Sequence, residues 1–109
     1  METIDLTELL EQAEECFQIQ CFKDSEDIDF FAKSYCGETL LHVAAIREKA
    51  NEIKLLIKKG LDINARGDFL ETPLFLVASL KKNETVSLLL KLRADSTIPN
   101  HLGELPAID

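Results

Sequence analysis

Apolar residues near the start of the chain recur three and four apart, at Leu6, Leu9, Leu10, Ala13, Cys16 and Phe17. That spacing marks one face of an amphipathic helix. It predicts a helix from about Leu6 to about Phe22, or two shorter ones broken near Cys16. Asp5 and Glu8, three residues apart, have the form of an N-terminal capping box. Cys16 falls on the apolar face, where a free cysteine packs as a small hydrophobe. Lys23-Asp24-Ser25-Glu26-Asp27 is a polar connector. Helical spacing returns over about Leu40 to Arg47, Asn51 to Lys59, Pro73 to Leu80 and Glu84 to Leu92. Turns are expected at Glu48 to Ala50 and at Lys81 to Asn83. Thr39 and Thr72 suit helix N-caps, Pro73 suits a first turn, and Gly60 sits where a helix ends.

The same order of elements occurs twice, with a period of 33 residues. Thr39 superimposes on Thr72, Leu41 on Leu74, Ala45 on Ala78, and Asp62 on Asp95. Asp29 lies one period before Asp62, and Gly103-Glu104-Leu105-Pro106 lies one period after Leu70-Glu71-Thr72-Pro73. A fixed period of this size signals a stacked array. The expected division is an acidic cap with the first hairpin over 1–36, repeats over 37–69 and 70–102, and a truncated repeat over 103–109. In such a stack the N-terminal helix covers the open side of the first full repeat. At the other end Leu105, Ala107 and Ile108 must fold back on the second repeat, find a partner, or stay loose. The flank of Val86, Leu89 and Leu90 there predicts self-association or fraying.

Thr39-Leu40-Leu41-His42-Val43-Ala44 and Thr72-Pro73-Leu74-Phe75-Leu76-Val77 resemble the T-P-L-H-x-A opening of ankyrin repeats. The first has Leu in place of Pro, and the second has Phe in place of His. The resemblance implies an all-α fold, a helical solenoid with short hairpins and no extended sheet. It also implies binding of another macromolecule, since the fold is a scaffold shared by many roles. In resembling proteins the motif histidine braces hairpin against helix, so His42 is expected to be structural.

A chain of 109 residues with 46% hydrophobic content is one globular domain. No apolar run approaches the roughly 18 residues of a membrane span. The acidic opening METIDLTELL is unlike a secretory signal, so the cytoplasm is the expected location. Cys16, Cys21 and Cys36 are odd in number and lack a C-x-x-C pair, which disfavours a disulfide framework or zinc site. Charge adds more. Residues 1–36 hold ten acids and two bases, whereas residues 37–109 hold ten of each. The net charge of −8 therefore resides in the first third. Nucleic acid is an unexpected partner, because phosphate binding needs a basic surface.

The sequence offers no nucleophile context, glycine-rich phosphate loop, metal cluster or cofactor motif, so no catalytic or metal-binding residue is assigned. Three columns across the repeats supply candidate partner-binding residues instead, every member but Cys36 and Leu102. Glu38, Glu71 and Glu104 precede helix starts. Each gains about 0.3–1 kcal/mol from the helix macrodipole, or together they form an acidic binding row. Tyr35, Asp68 and His101, then Cys36, Phe69 and Leu102, occupy the hairpin tips. Tyr35 and Phe69 are candidate anchors there, although Phe69 packed on a neighbouring hairpin explains it equally. Arg47 and Leu80, ending the first helices, and Arg66, before the second hairpin tip, complete the set. Glu8, Glu11, Glu14 and Glu15 read as a solvated face.

The expected function is non-enzymatic binding of a basic protein partner, with inhibition as its outcome. Small bacterial ankyrin-like proteins include immunity proteins that neutralise a toxin, and the resemblance implies that reading. Alternatives are an adaptor that binds a kinase or transcription factor, and a self-associating structural module.

Overall fold

The computed structural model describes residues 6–19 and 29–108. Five α-helices occur among them: α1 (Thr7–Phe17), α2 (Leu40–Ile46), α3 (Ala50–Lys58), α4 (Pro73–Ser79) and α5 (Asn83–Lys91). Helices α2 to α5 lie within one residue of the bounds the spacing predicts. Among the described residues there are no extended strands, only an isolated antiparallel bridge between Lys33 and Thr39. Asp5, Cys21, Phe22 and the 23–27 connector lie outside the described residues, so neither the Asp5 cap nor a helix reaching residue 22 is assessed. Leu6 is the residue at the start of α1, and it makes no side-chain cap.

Helices α2 and α4 have seven residues each, too short to persist alone, so tertiary packing must hold them. Thr39 Oγ1 accepts from Leu41 N at 3.2 Å and Thr72 Oγ1 from Phe75 N at 3.1 Å. α1 packs on α2, α2 on α3 and α4, and α4 on α5. Leu9, Leu10 and Ala13 from α1 join Leu41, Leu56, Leu74 and Leu89 in one continuous core. The first helix thus covers the side of the stack expected of it. Arg47 fastens it from outside through an ion pair with Glu8.

Cys16 departs from expectation. Its thiol is exposed rather than packed, and Sγ meets Gln12 Oε1 at 3.4 Å. The buried face of α1 runs through Leu9, Leu10 and Ala13, and half-buried Phe17 and buried Ile19 continue it as the helix unwinds at left-handed Gln18. Of the three residues expected to fold back, find a partner or stay loose, Ile108 packs against the core, while Leu105 and Ala107 are exposed.

Three hairpin fingers project from the helix pairs. In the first, Gly37 N donates to Ser34 O and Ser34 N to Glu38 O. In the second, Leu70 N donates to Gly67 O and Gly67 N to Glu71 O. In the third, Gly103 N donates to Asn100 O and Asn100 N to Glu104 O. The three turns are one turn repeated at the 33-residue period. A glycine with positive φ closes the first and third, Gly37 at +98° and Gly103 at +79°. Leu70 holds that place in the second, at φ +59°.

Candidate functional site: the row of finger tips

Each finger is tied to the next by side chains that the sequence marked as candidates. Glu38 is buried. Its Oε1 accepts from Ser34 Oγ at 2.9 Å, and its Oε2 accepts from Asp68 N in the second finger. His42 is fully buried in α2. Its Nδ1 accepts from Thr39 N at 3.1 Å, which completes a capping box, and its Nε2–H donates to Glu71 O at 3.0 Å. Burial drives the imidazole pKa down, and the bond to Glu71 O opposes that only partly. His42 therefore braces hairpin against helix as a neutral ring.

Room for this latch comes from Gly67, the counterpart of Ser34 and Asn100. Ser34 Oγ and Asn100 Oδ1 accept from the backbone N–H of Glu38 and Glu104 within their own fingers. Gly67 has no such group. A Cβ there would come 3.0 Å from Glu38 Oε2 and 3.1 Å from His42 Nε2. The missing side chain leaves space for the neighbouring repeat's carboxylate.

The acidic column is therefore graded from buried to exposed. Glu38 faces inward and Glu104 is exposed. Glu71 is half-buried. Burial raises the Glu71 carboxyl pKa, and a hydrogen bond from the Asn100 side chain pulls it back. Glu38 does not belong to an exposed row; its carboxylate is taken up by Ser34 and the Asp68 amide. Arg47 is committed to Glu8. Arg66 is committed as well, its Nε donating to Leu70 O at 3.2 Å and its Nη2 to Pro99 O at 2.6 Å.

Aromatic and aliphatic side chains also remain outward at the tips. Tyr35 is fully exposed, and Phe69, Leu70 and Leu102 are 58%, 45% and 69% exposed. They cross the three tips as a ridge, with exposed Asp68, His101 and Glu104 beside them. Phe69 also packs on the next finger, its ring centroid 5.1 Å from that of His101, and its carbonyl accepts from His101 N at 2.9 Å. Phe69 thus packs sideways on the third finger and still faces solvent. Leu80, at the end of α4, is 53% exposed. The spacing pattern missed Leu70. The signal was available, since leucine stands where the other repeats carry glycine.

The family model of ankyrin repeats, three copies long, matches residues 7–100. The chain belongs to the ankyrin-repeat family. The match begins with α1, so the first helix lies inside the family pattern. An ankyrin repeat protein of Rickettsia felis is 42% identical over 45 residues, which are 41% of this chain and 15% of that protein. The human ankyrin repeat and SOCS box protein 3 is 44% identical over 52 residues, 48% of this chain and 10% of the relative. The chain spans only a small part of these curated relatives. Ankyrin repeats indicate a protein–protein interaction module, and ankyrin repeat proteins are in general non-enzymatic. No helix among the described residues is long and apolar enough to cross a membrane.

Proposed function

We propose that this ankyrin module binds a basic protein partner through its finger tips and acts by covering a working surface of that partner, as an immunity protein covers a toxin. The observation that carries the reading is the exposed ridge of Tyr35, Phe69, Leu70 and Leu102. Aromatic and apolar side chains on turn tips are desolvated only when something docks on them, and such anchors dominate interface energetics. Asp68 and Glu104 on the rim, with exposed Glu11, Glu14 and Glu15 of α1, support a basic partner. Glu38, Arg47 and Arg66 drop out of the binding set because other bonds hold them. Glu71 contributes less than Glu104.

The test starts with affinity capture from the native cytosol, followed by association and dissociation rates for the captured protein. Phe69→Ala and Leu102→Ala should speed dissociation, with about 2 kcal/mol lost for a true anchor. Lys58→Glu, on the exposed side of α3, should leave dissociation unchanged. The partner's own activity should fall to nothing at a one-to-one ratio. Full activity in the saturated complex would remove the inhibitor reading and leave binding intact.

That outcome would favour an adaptor. The relatives lend this second reading some support, because the matched segments are 15% and 10% of longer proteins, one of them named for an additional SOCS box.

A further inference from the structure

The two junctions between fingers are joined differently. Between the second and third fingers, Asn64 Oδ1 accepts from Asp95 N at 2.8 Å and Arg66 Nη2 donates to Pro99 O at 2.6 Å. One period earlier the corresponding pairs are Phe31 with Asp62 and Lys33 with Arg66. A phenylalanine side chain cannot accept from Asp62 N. Among the described residues nothing bonds to Asp62 N or to Arg66 O. Those four residues, with Leu61 and Ala65 among others, line an open cleft of about 420 Å3.

The lining narrows the chemistry of an occupant. Phe31 is 58% exposed and Leu61 is buried, so the cleft offers an apolar wall. Lys33 is exposed, and its ammonium has no carboxylate partner among the described residues. Two backbone carbonyls hold the Arg66 guanidinium in place without neutralising its charge. The carboxylate in the lining, Asp62, accepts from Asn64 N at 2.9 Å within its own loop. Two cations against one carboxylate leave the cleft positive, in a chain whose net charge is −8.

We propose that this cleft takes an extended acidic segment of a partner protein, laid along the first junction where the two side-chain bonds are missing. Its main-chain carbonyls suit Asp62 N–H and its N–H groups suit Arg66 O, as when a strand adds to an open edge. Side chains two apart in an extended chain share a face. One apolar side chain therefore meets Phe31 while a carboxylate two residues along meets Lys33 and Arg66. The site prefers the opposite charge from the ridge of finger tips, and the inference stands apart from the reading of that ridge.

The experiment titrates the isotope-labelled chain with synthetic acetyl-Thr-Leu-Thr-Glu-Thr-amide and follows backbone amide shifts by nuclear magnetic resonance. The expected result is saturable shifts at residues 31–33 and 60–66, with a dissociation constant below about 1 mM, while the tips at Phe69 and Leu102 do not move. Lys33→Glu reverses an exposed charge, so it should weaken binding about fivefold or more without changing the thermal melt. Phe31→Asn gives the first junction the side chain that closes the second, and should abolish the shifts. No saturable shift at about 1 mM peptide, equal binding of the peptide with lysine in place of glutamate, unchanged affinity in Lys33→Glu, or shifts confined to the tips would overturn the proposal.

Discussion

A methyl group added at Gly67 would press on Glu38 Oε2 and His42 Nε2 together. Both atoms hold the second finger, so Gly67→Ala should lower unfolding free energy by about 1–3 kcal/mol, the scale of a buried polar bond left unmade. Denaturant unfolding measures this, and a loss of only a few tenths would contradict the latch. Space at the Cβ position is what favours the glycine, whose backbone lies at φ −100° and ψ −140°. Leu70 is the reverse case. Its φ of +59° costs a leucine about 1 kcal/mol. Leu70→Gly should therefore leave stability unchanged or raise it by up to about 1 kcal/mol, as read from thermal melts, while shortening the life of the partner complex. His42 carries a pH signature. In the unfolded chain its imidazole titrates near about 6.5, and burial lowers that value in the fold. Above about 6.5 both states are neutral and stability is flat. As pH falls below it, the unfolded chain takes up a proton that the fold refuses, so stability declines until the folded pKa is reached. Glu71, with its raised pKa, works in the opposite direction and at lower pH. Nuclear magnetic resonance should place the His42 transition below the usual imidazole range, and His42→Gln should flatten the decline in stability that begins below about pH 6.5.

At the scale of elements, short helices became legible where punctuation was strong. Thr39 and Thr72 fix two starts, Pro73 adds to one, and Gly60 at φ +104° ends α3 through Leu61 N bonding to Leu56 O at 3.1 Å. Arg93 makes the same turn at φ +75° without glycine, so the second repeat ends alike on a weaker signal. Thr72→Ala should cost about 1 kcal/mol, measured by chemical unfolding. The Glu38, Glu71, Glu104 column was less legible. A 33-residue spacing places three carboxylates at matching turns and leaves their direction open. The missing side chain at Gly67 turns Glu38 inward, and no periodicity encodes that. Cys16 misled for a related reason: apolar spacing includes it, but the buried face leaves the helix through Phe17 and Ile19.

Across the whole molecule, one core from α1 to α5 and a second set of bonds along the fingers hold the stack in register. Arg66 to Pro99 O and Asp95 N to Asn64 Oδ1, at 2.8 Å, continue that set toward the third finger. The fold that presents the tips was thus readable from repetition, whereas the identity of what they meet is a matter of surface chemistry. The most direct measurement of the central claim is hydrogen–deuterium exchange of the chain with and without its captured partner. Binding through the tips predicts slowed exchange at residues 34–37, 67–71 and 100–104, with α3 and α5 unaltered. Protection confined to α3 and α5, with the tips exchanging as in the free chain, would contradict it.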